Sequence, residues 1–247
     1  MRRLIGIALL VALAVVACGN EADGDDGEPP SSRVELRFDF DEGAGGWEAG
    51  FTDYGPEFEM ELDSGIAPLP ASLERDGQGF RITGFNRTDD LFMFLKRGIG
   101  TGEGVEPGQS YRVSYRIVFA SDAPTGCFGV GGPPGEGVWL KAGAVAVEPD
   151  VELLDNYWHL TVDKDNQASG GEDVWLVGDI ANGIECDEAI EADYPYAEVE
   201  REYTHDELVT ATDEGELWLI VGTDSGFEGQ TEIFYMVIEV TLEPMEG

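Results

Sequence analysis

A period of two runs through this chain and decides what it can fold into. Tyr111, Val113, Tyr115, Ile117 and Phe119 alternate with Arg112, Ser114 and Arg116, and Val34, Leu36, Phe38 and Phe40 alternate with Glu35, Arg37 and Asp39. Successive side chains of a strand point to opposite faces, so such alternation reads as a half-buried strand. Phe58, Met60 and Leu62 repeat the pattern. Leu91 to Leu95 is apolar without a break, as a strand covered on both faces is. Leu217–Val221 and Ile233–Leu242 add two more β-rich runs, with weaker candidates at Gly79–Thr83, Val138–Lys141, His159–Val162, Val174–Val177 and Leu208–Ala211. Turn-forming clusters such as GAGG, EPGQS, GGPPGEG and DKDNQASGG punctuate them. No segment carries an apolar stripe at helical spacing with caps; residues 184–197 have room for a helical turn or two, limited by Pro195. The expected fold is all-β, a β-sandwich of jelly-roll type with irregular Gly/Pro-rich loops, formed by residues 33–247 as one domain.

The first residues set the compartment. Arg2 and Arg3 precede an apolar run from Leu4 to Ala17, which is too short to span a bilayer comfortably. The run ends in V-V-A-C, a sequence that resembles a bacterial lipobox, with Cys18 as the thiol that accepts the lipid. Residues 1–17 are therefore expected to be a lipoprotein signal peptide. Residues 18–32, a lipidated Cys followed by EADGDDGEPPSS, are too acidic and too poor in apolar groups to bury anything and should form a flexible tether. The expectation is a lipid-anchored protein of the bacterial cell envelope, in the outer membrane or at the cell surface, facing periplasm or exterior, with the membrane as partner through its acyl chains. Cys127 and Cys186 then remain, and in an oxidising compartment two thiols make one disulfide.

With 14 Lys+Arg against 51 Asp+Glu, the formal net charge is −37. Such a chain repels phosphate backbones, which removes nucleic acid from the partners considered. The acids are dispersed rather than blocked, so they describe an acidic surface over a folded body. A surface of this kind stays hydrated in strong salt, where the Debye length is about 3 Å at 1 M and self-repulsion is screened; adaptation to a saline habitat is the expectation.

Four stretches carry a resemblance: FDFDEGAGGWEAGFTDY, NRTDDLFMFLKRGI, PGQSYRVSYRIVFASDAPTGCFGVGGPPGEGVWLKAGA and LWLIVGTDSGFEGQTEIFYMVIEVTL. From about Val34 to Leu242 the chain resembles a poorly characterised family of bacterial lipoproteins and secreted proteins. No catalytic residues are established there, and none is carried over. More loosely, it is similar to galactose-binding-like jelly rolls of the carbohydrate-binding-module type, with Trp47, Tyr111 and Trp218 in the places of recurrent aromatic residues. That similarity implies non-catalytic binding of a glycan and, in many such modules, a structural calcium near the first and last strands. Met236 stands where the last strand commonly offers an Asp, so calcium is left open and no other cofactor is implied.

Catalytic patterns are thin. Asp63-Ser64-Gly65 and Asp224-Ser225-Gly226 suggest an aspartic pair only superficially, and Asx-type turns account for them better. His159 and His205 are the only histidines, neither in H-x-x-x-H spacing, and no Ser or Cys sits in a nucleophile elbow. Nothing selects two carboxylates from 51 acids for glycosidase chemistry, and no catalytic residue is assigned. DKDNQASGG lacks the Gly and Glu of an EF-hand loop. For binding, Asn86, Arg87, Asp89 and Asp90 stand at a loop beside the most apolar strand, and rigidly anchored loops often carry function. Sugars are held by an aromatic face and by amide, carboxylate and Arg groups on their hydroxyls. Of the five tryptophans, Trp139 follows the Gly-rich stretch and is the candidate face. The alternatives are a structural or adhesive envelope protein without a small-molecule site and, further off, a hydrolase; the metal-binding residues and oligomeric state stay unassigned.

Overall fold

A computed structural model describes residues 32–186 and 194–246. Its strands are β1 Val34–Asp39, β2 Glu48–Thr52, β3 Asp63–Pro68, β4 Gln78–Phe85, β5 Leu91–Ile99, β6 Ser110–Ser121, β7 Val138–Val145, β8 Val151–Leu154, β9 Tyr157–Leu160, β10 Val174–Asp179, β11 Ala197–Thr210, β12 Leu217–Ser225 and β13 Gln230–Met245. They form a β-sandwich of jelly-roll type. One sheet runs β11-β6-β13-β4-β3, with β1 pairing the second half of β13 beside β4; the other runs β10-β7-β12-β5-β2. All pairings within these two sheets are antiparallel.

The alternation is what fills the space between the sheets. Tyr111, Val113, Tyr115, Ile117 and Phe119 of β6 face Leu217, Leu219 and Val221 of β12 and Leu140, Ala142 and Ala144 of β7 in one buried cluster. In β13 the parity changes: Ile233 and Tyr235 point inward, then Ile238, Val240 and Leu242. A bulge between Tyr235 and Val237 inserts one residue, which explains why this run does not alternate cleanly in sequence. The extra residue, Met236, packs outward against Val118, Ala120 and Phe234.

The five-stranded sheet is covered on its outer face too. Phe92 and Phe94 of β5, Val145 of β7 and Ile220 of β12 form a second apolar layer with Val162 and Val174, under Val151 and Leu160 of the β8–β9 hairpin. Hence Leu91–Leu95 is continuously apolar: Leu91, Met93 and Leu95 serve one core and Phe92 and Phe94 the other. Phe94 lies across β2, where a Cβ on Gly50 would come within 2.2 Å of its ring. The hairpin is docked onto the end of β2 by Asp53 N–H to Trp158 O (2.8 Å) and Trp158 N–H to Tyr54 O (3.0 Å).

Two sequence readings need correction. Phe58–Leu62 is not a strand: Glu61 takes a left-handed φ of 51° and Phe58 is exposed, so the alternation finds no ladder to join. Asp224 is not a turn residue but a buried member of β12, and Asp63 opens β3. The helical turn expected within 184–197 falls mainly on residues 187–193, which lie outside the described residues, as do Cys18, the signal peptide and the tether up to residue 31. Among the described residues no helix is long and apolar enough to cross a membrane.

Candidate functional site

At one end of the sandwich two loops are tied together. Cys127 and Cys186 form a disulfide across 59 residues. Beside it Thr125 N–H donates to Ile184 O (2.8 Å), Cys186 N–H to Thr125 O (3.0 Å), and Gly126 N–H to Glu136 Oε1 (2.8 Å). Gly131 makes the return possible: its φ of 74° and a Cβ position 2.1 Å from Gly226 O leave no room for any side chain. The chain between is thus stiffened where it crosses the end of β12 and the start of β13.

This clip borders a cleft of about 340 Å³ lined by Asp122, Phe128, Tyr194, Phe227, Gln230 and Glu232, among others. Phe128 is 102% exposed and Tyr194 39% exposed. The polar side is pre-arranged. Tyr196 O–H donates to Glu232 Oε1 (2.7 Å), while Arg81 Nε donates to Glu232 Oε2 (2.5 Å). Burial, with Glu232 adding to it, pushes the Asp122 carboxyl up to about 6, against the lowering effect of its own backbone N–H and of Tyr196. At neutral pH the cleft therefore offers carboxylate acceptors and an amide beside aromatic faces. These are the groups that grip a ring with a C–H face and a rim of hydroxyls.

A second concentration of charge lies under the β8–β9 hairpin, on the outer face of the five-stranded sheet. Carboxylate oxygens of Asp53, Asp90 and Asp224 come within 4.8 Å of one another. The cation among them is an ammonium: Lys164 Nζ is 2.7 Å from Asp53 Oδ2 and 2.8 Å from Asp224 Oδ2. Lys141 Nζ, also fully buried, is 2.9 Å from Asp224 Oδ2 and donates to Lys164 O (2.7 Å). A divalent ion would have to displace these ammonium groups from the carboxylates. Tyr157 O–H donates to Asp90 Oδ2 at 3.3 Å. Burial, with Asp53 and Asp224 beside it, raises Asp90 to about 7.

The residues singled out from the sequence divide between structural and charged roles. Asn86 is buried and its amide donates to Ser225 O (2.8 Å) and Phe227 O (3.1 Å). Arg87 is exposed, donates to Glu59 O (2.7 Å), pairs with Glu61 at 2.5 Å and lies 4.4 Å over Phe85. Asp89 is exposed and its carbonyl accepts from Gln167 Nε2 (2.8 Å). Asp90 joins the buried carboxylates. Trp139, half-buried, packs near Gly226 and does not line the cleft. In the DKDNQASGG loop both Asp163 oxygens accept backbone N–H groups, from Asp165 (2.9 Å) and Glu172 (2.9 Å). The sequence reading passes over Phe128, Asp122, Lys141, Lys164 and Asp53, and takes Asp224 only as part of a turn. A lysine inside VWLKAGAV and an aspartate ending LWLIVGTD were the visible signals of buried charge.

The chain matches no described protein family and no curated protein sequence. Among solved structures it is similar to the carbohydrate-binding module TmCBM61, solved in complex with β-1,4-galactotriose, at 12% identity over 81% of this chain and 92% of that one, with a TM-score of 0.37. It is similar also to a CBM28 module specific for non-crystalline cellulose (13% identity, 84% and 91% covered, TM-score 0.36). A third is the K1 cleaved adhesin domain of Lys-gingipain from Porphyromonas gingivalis (7% identity, 86% and 99% covered, TM-score 0.36). At these scores the likeness carries neither a residue role nor a ligand over to this chain.

Proposed function

We propose that this protein is a lipid-anchored envelope protein whose β-sandwich binds a glycan, without catalysis, in the cleft beside the Cys127–Cys186 disulfide. The observation that supports this reading most is the pairing of a wholly exposed aromatic ring, Phe128, with Asp122, Gln230 and Glu232 around one cleft. An aromatic side chain left in water by a stiffened loop has a use when it covers the apolar face of a sugar. The acidic lining and the net charge of −37 favour a neutral saccharide over a uronate or sulfated one. Anchoring through Cys18 would hold this cleft at the membrane surface on the acidic tether of residues 18–32.

The test is a glycan array at the salt concentration of the native habitat, followed by calorimetry on any hit with the full chain and with Phe128→Ala. A neutral saccharide bound by the wild type and weakened about tenfold by the variant supports the reading. An array without hits, or binding indifferent to Phe128, contradicts it. Detergent-phase partitioning of the native protein, lost in Cys18→Ala, tests the anchor separately.

A further inference from the structure

Lys141 and Asp224 sit on adjacent antiparallel strands, β7 and β12, where Lys141 pairs with Gly222 and Asp224 with Trp139. Their side chains leave the same outer face two positions apart and meet diagonally, with Nζ 2.9 Å from Oδ2 and both side chains 0% exposed. Gly222 presents no side chain between them; a Cβ there would come within 2.7 Å of Phe92. The same Oδ2 accepts from Lys164 Nζ (2.8 Å) and from Gln167 N–H (2.9 Å), whereas Asp224 Oδ1 has no hydrogen-bond partner. Asp90 brings a carboxylate oxygen within 4.8 Å of that of Asp224, and its own Oδ1 is likewise without a partner.

The geometry points to an intramolecular isopeptide bond between Lys141 Nζ and Asp224 Cγ, formed by the folded chain itself with Asp90 as the proton carrier. From the ion pair, Asp90 first relays one proton from the Lys141 ammonium to Asp224 Oδ1, leaving a neutral amine and a carboxylic acid. The amine lone pair then attacks Cγ and a C–N bond forms. Negative charge develops on Oδ2, where the Lys164 ammonium and the Gln167 N–H already point, as donors of an oxyanion site do. Oδ1 takes a proton from Asp90 together with the proton it held as the acid, its C–O bond breaks, and it departs as water. The nitrogen gives a proton back to Asp90. One amine and one carboxylic acid become one amide and one water, with no oxidant or co-reactant.

The surroundings suit each reacting form. Burial, with the Lys164 ammonium adding to it, lowers Lys141 more than Asp224 and Asp165 raise it, which eases loss of its proton. Lys164, although buried, is held charged by Asp224 and Asp53. Asp90, raised to about 7, carries a proton near neutrality. Withdrawing two charges from water is costly, and condensation replaces an ion pair by a neutral amide in a site sealed from solvent.

Peptide mapping of the full chain decides the matter. Trypsin acting on the reduced protein should leave residues 117–164 uncut at Lys141 and attached to residues 202–247, the pair lighter by one water than the two peptides summed. Asp90→Asn should slow formation about a hundredfold, the usual scale for losing a proton-transfer group, so that unlinked 202–247 appears. Free peptides 117–141, 142–164 and 202–247 from natively folded wild type overturn the proposal. So does a branched peptide uncut at Lys164 instead. The wild-type digest gives this answer even if Asp90→Asn fails to fold.

Discussion

The Asn86 side chain holds Ser225 through its carbonyl at 2.8 Å, joining the loop before β5 to the end of β12. Its amide also reaches Phe227 O at 3.1 Å, and Phe227 lines the cleft. Asn86 is thus a buried brace between the sheet and the candidate binding surface. Asn86→Ala removes the amide donor from Ser225 O and leaves Phe227 O with the Ser225 hydroxyl, and should cost roughly 1–3 kcal/mol by denaturant unfolding. A change within error would mean that water replaces the amide and that the brace is dispensable.

The disulfide should matter to both stability and binding. Closing a loop of 59 residues contributes about 4 kcal/mol in the chain-entropy account. The double variant Cys127→Ser, Cys186→Ser should unfold at lower denaturant and lose glycan affinity, because the loop bearing Phe128 is released. Undiminished binding in the unbridged protein would separate the clip from the site.

Much of this fold is legible in the chain because strands with one buried face write their period into the sequence. Residues 111–119 are an instance, and so is the doubly covered run 91–95. Phe58–Leu62 misleads because alternation reports amphipathicity, while a strand needs a partner ladder that only tertiary structure supplies. The cleft was hidden for a related reason: Asp122 and Phe128 belong to the connection between β6 and β7 while Gln230 opens β13, and no local spacing links the two. The two cysteines were the only local sign that residues 125–137 and the stretch ending at Cys186 meet. Asn86 and Asp90 attracted notice for their polarity, yet the polarity of Asn86 serves backbone carbonyls rather than a ligand.

Asp122 makes a pH prediction with a definite sign. Its carboxyl is raised to about 6, chiefly by burial, whereas in the unfolded chain it titrates near about 4. Between these values the native state holds the proton and the unfolded state does not, so this group's contribution falls as pH rises from about 4 through about 6. Asp122→Asn should flatten that part of the stability profile and gain on wild type above pH 6, measured by urea unfolding across the range. Superimposable profiles would show that Asp122 is better solvated than its surroundings indicate.

The surface charge makes another. With a net charge of −37, added NaCl should raise the thermal midpoint as like-charge repulsion is screened over a Debye length falling from about 10 Å at 0.1 M to about 3 Å at 1 M. Stability that is flat or falls with salt would remove the saline-habitat account of the acidic surface.

The central claim is that the cleft at the disulfide end grips a neutral saccharide against Phe128. Titrating the array-identified saccharide into wild type and Phe128→Ala by calorimetry addresses it most directly. The account predicts measurable heat and saturation with wild type, and about tenfold weaker binding by a variant whose unfolding midpoint is unchanged. Equal affinity of the two proteins, or no saccharide bound by wild type at working salt, would contradict it.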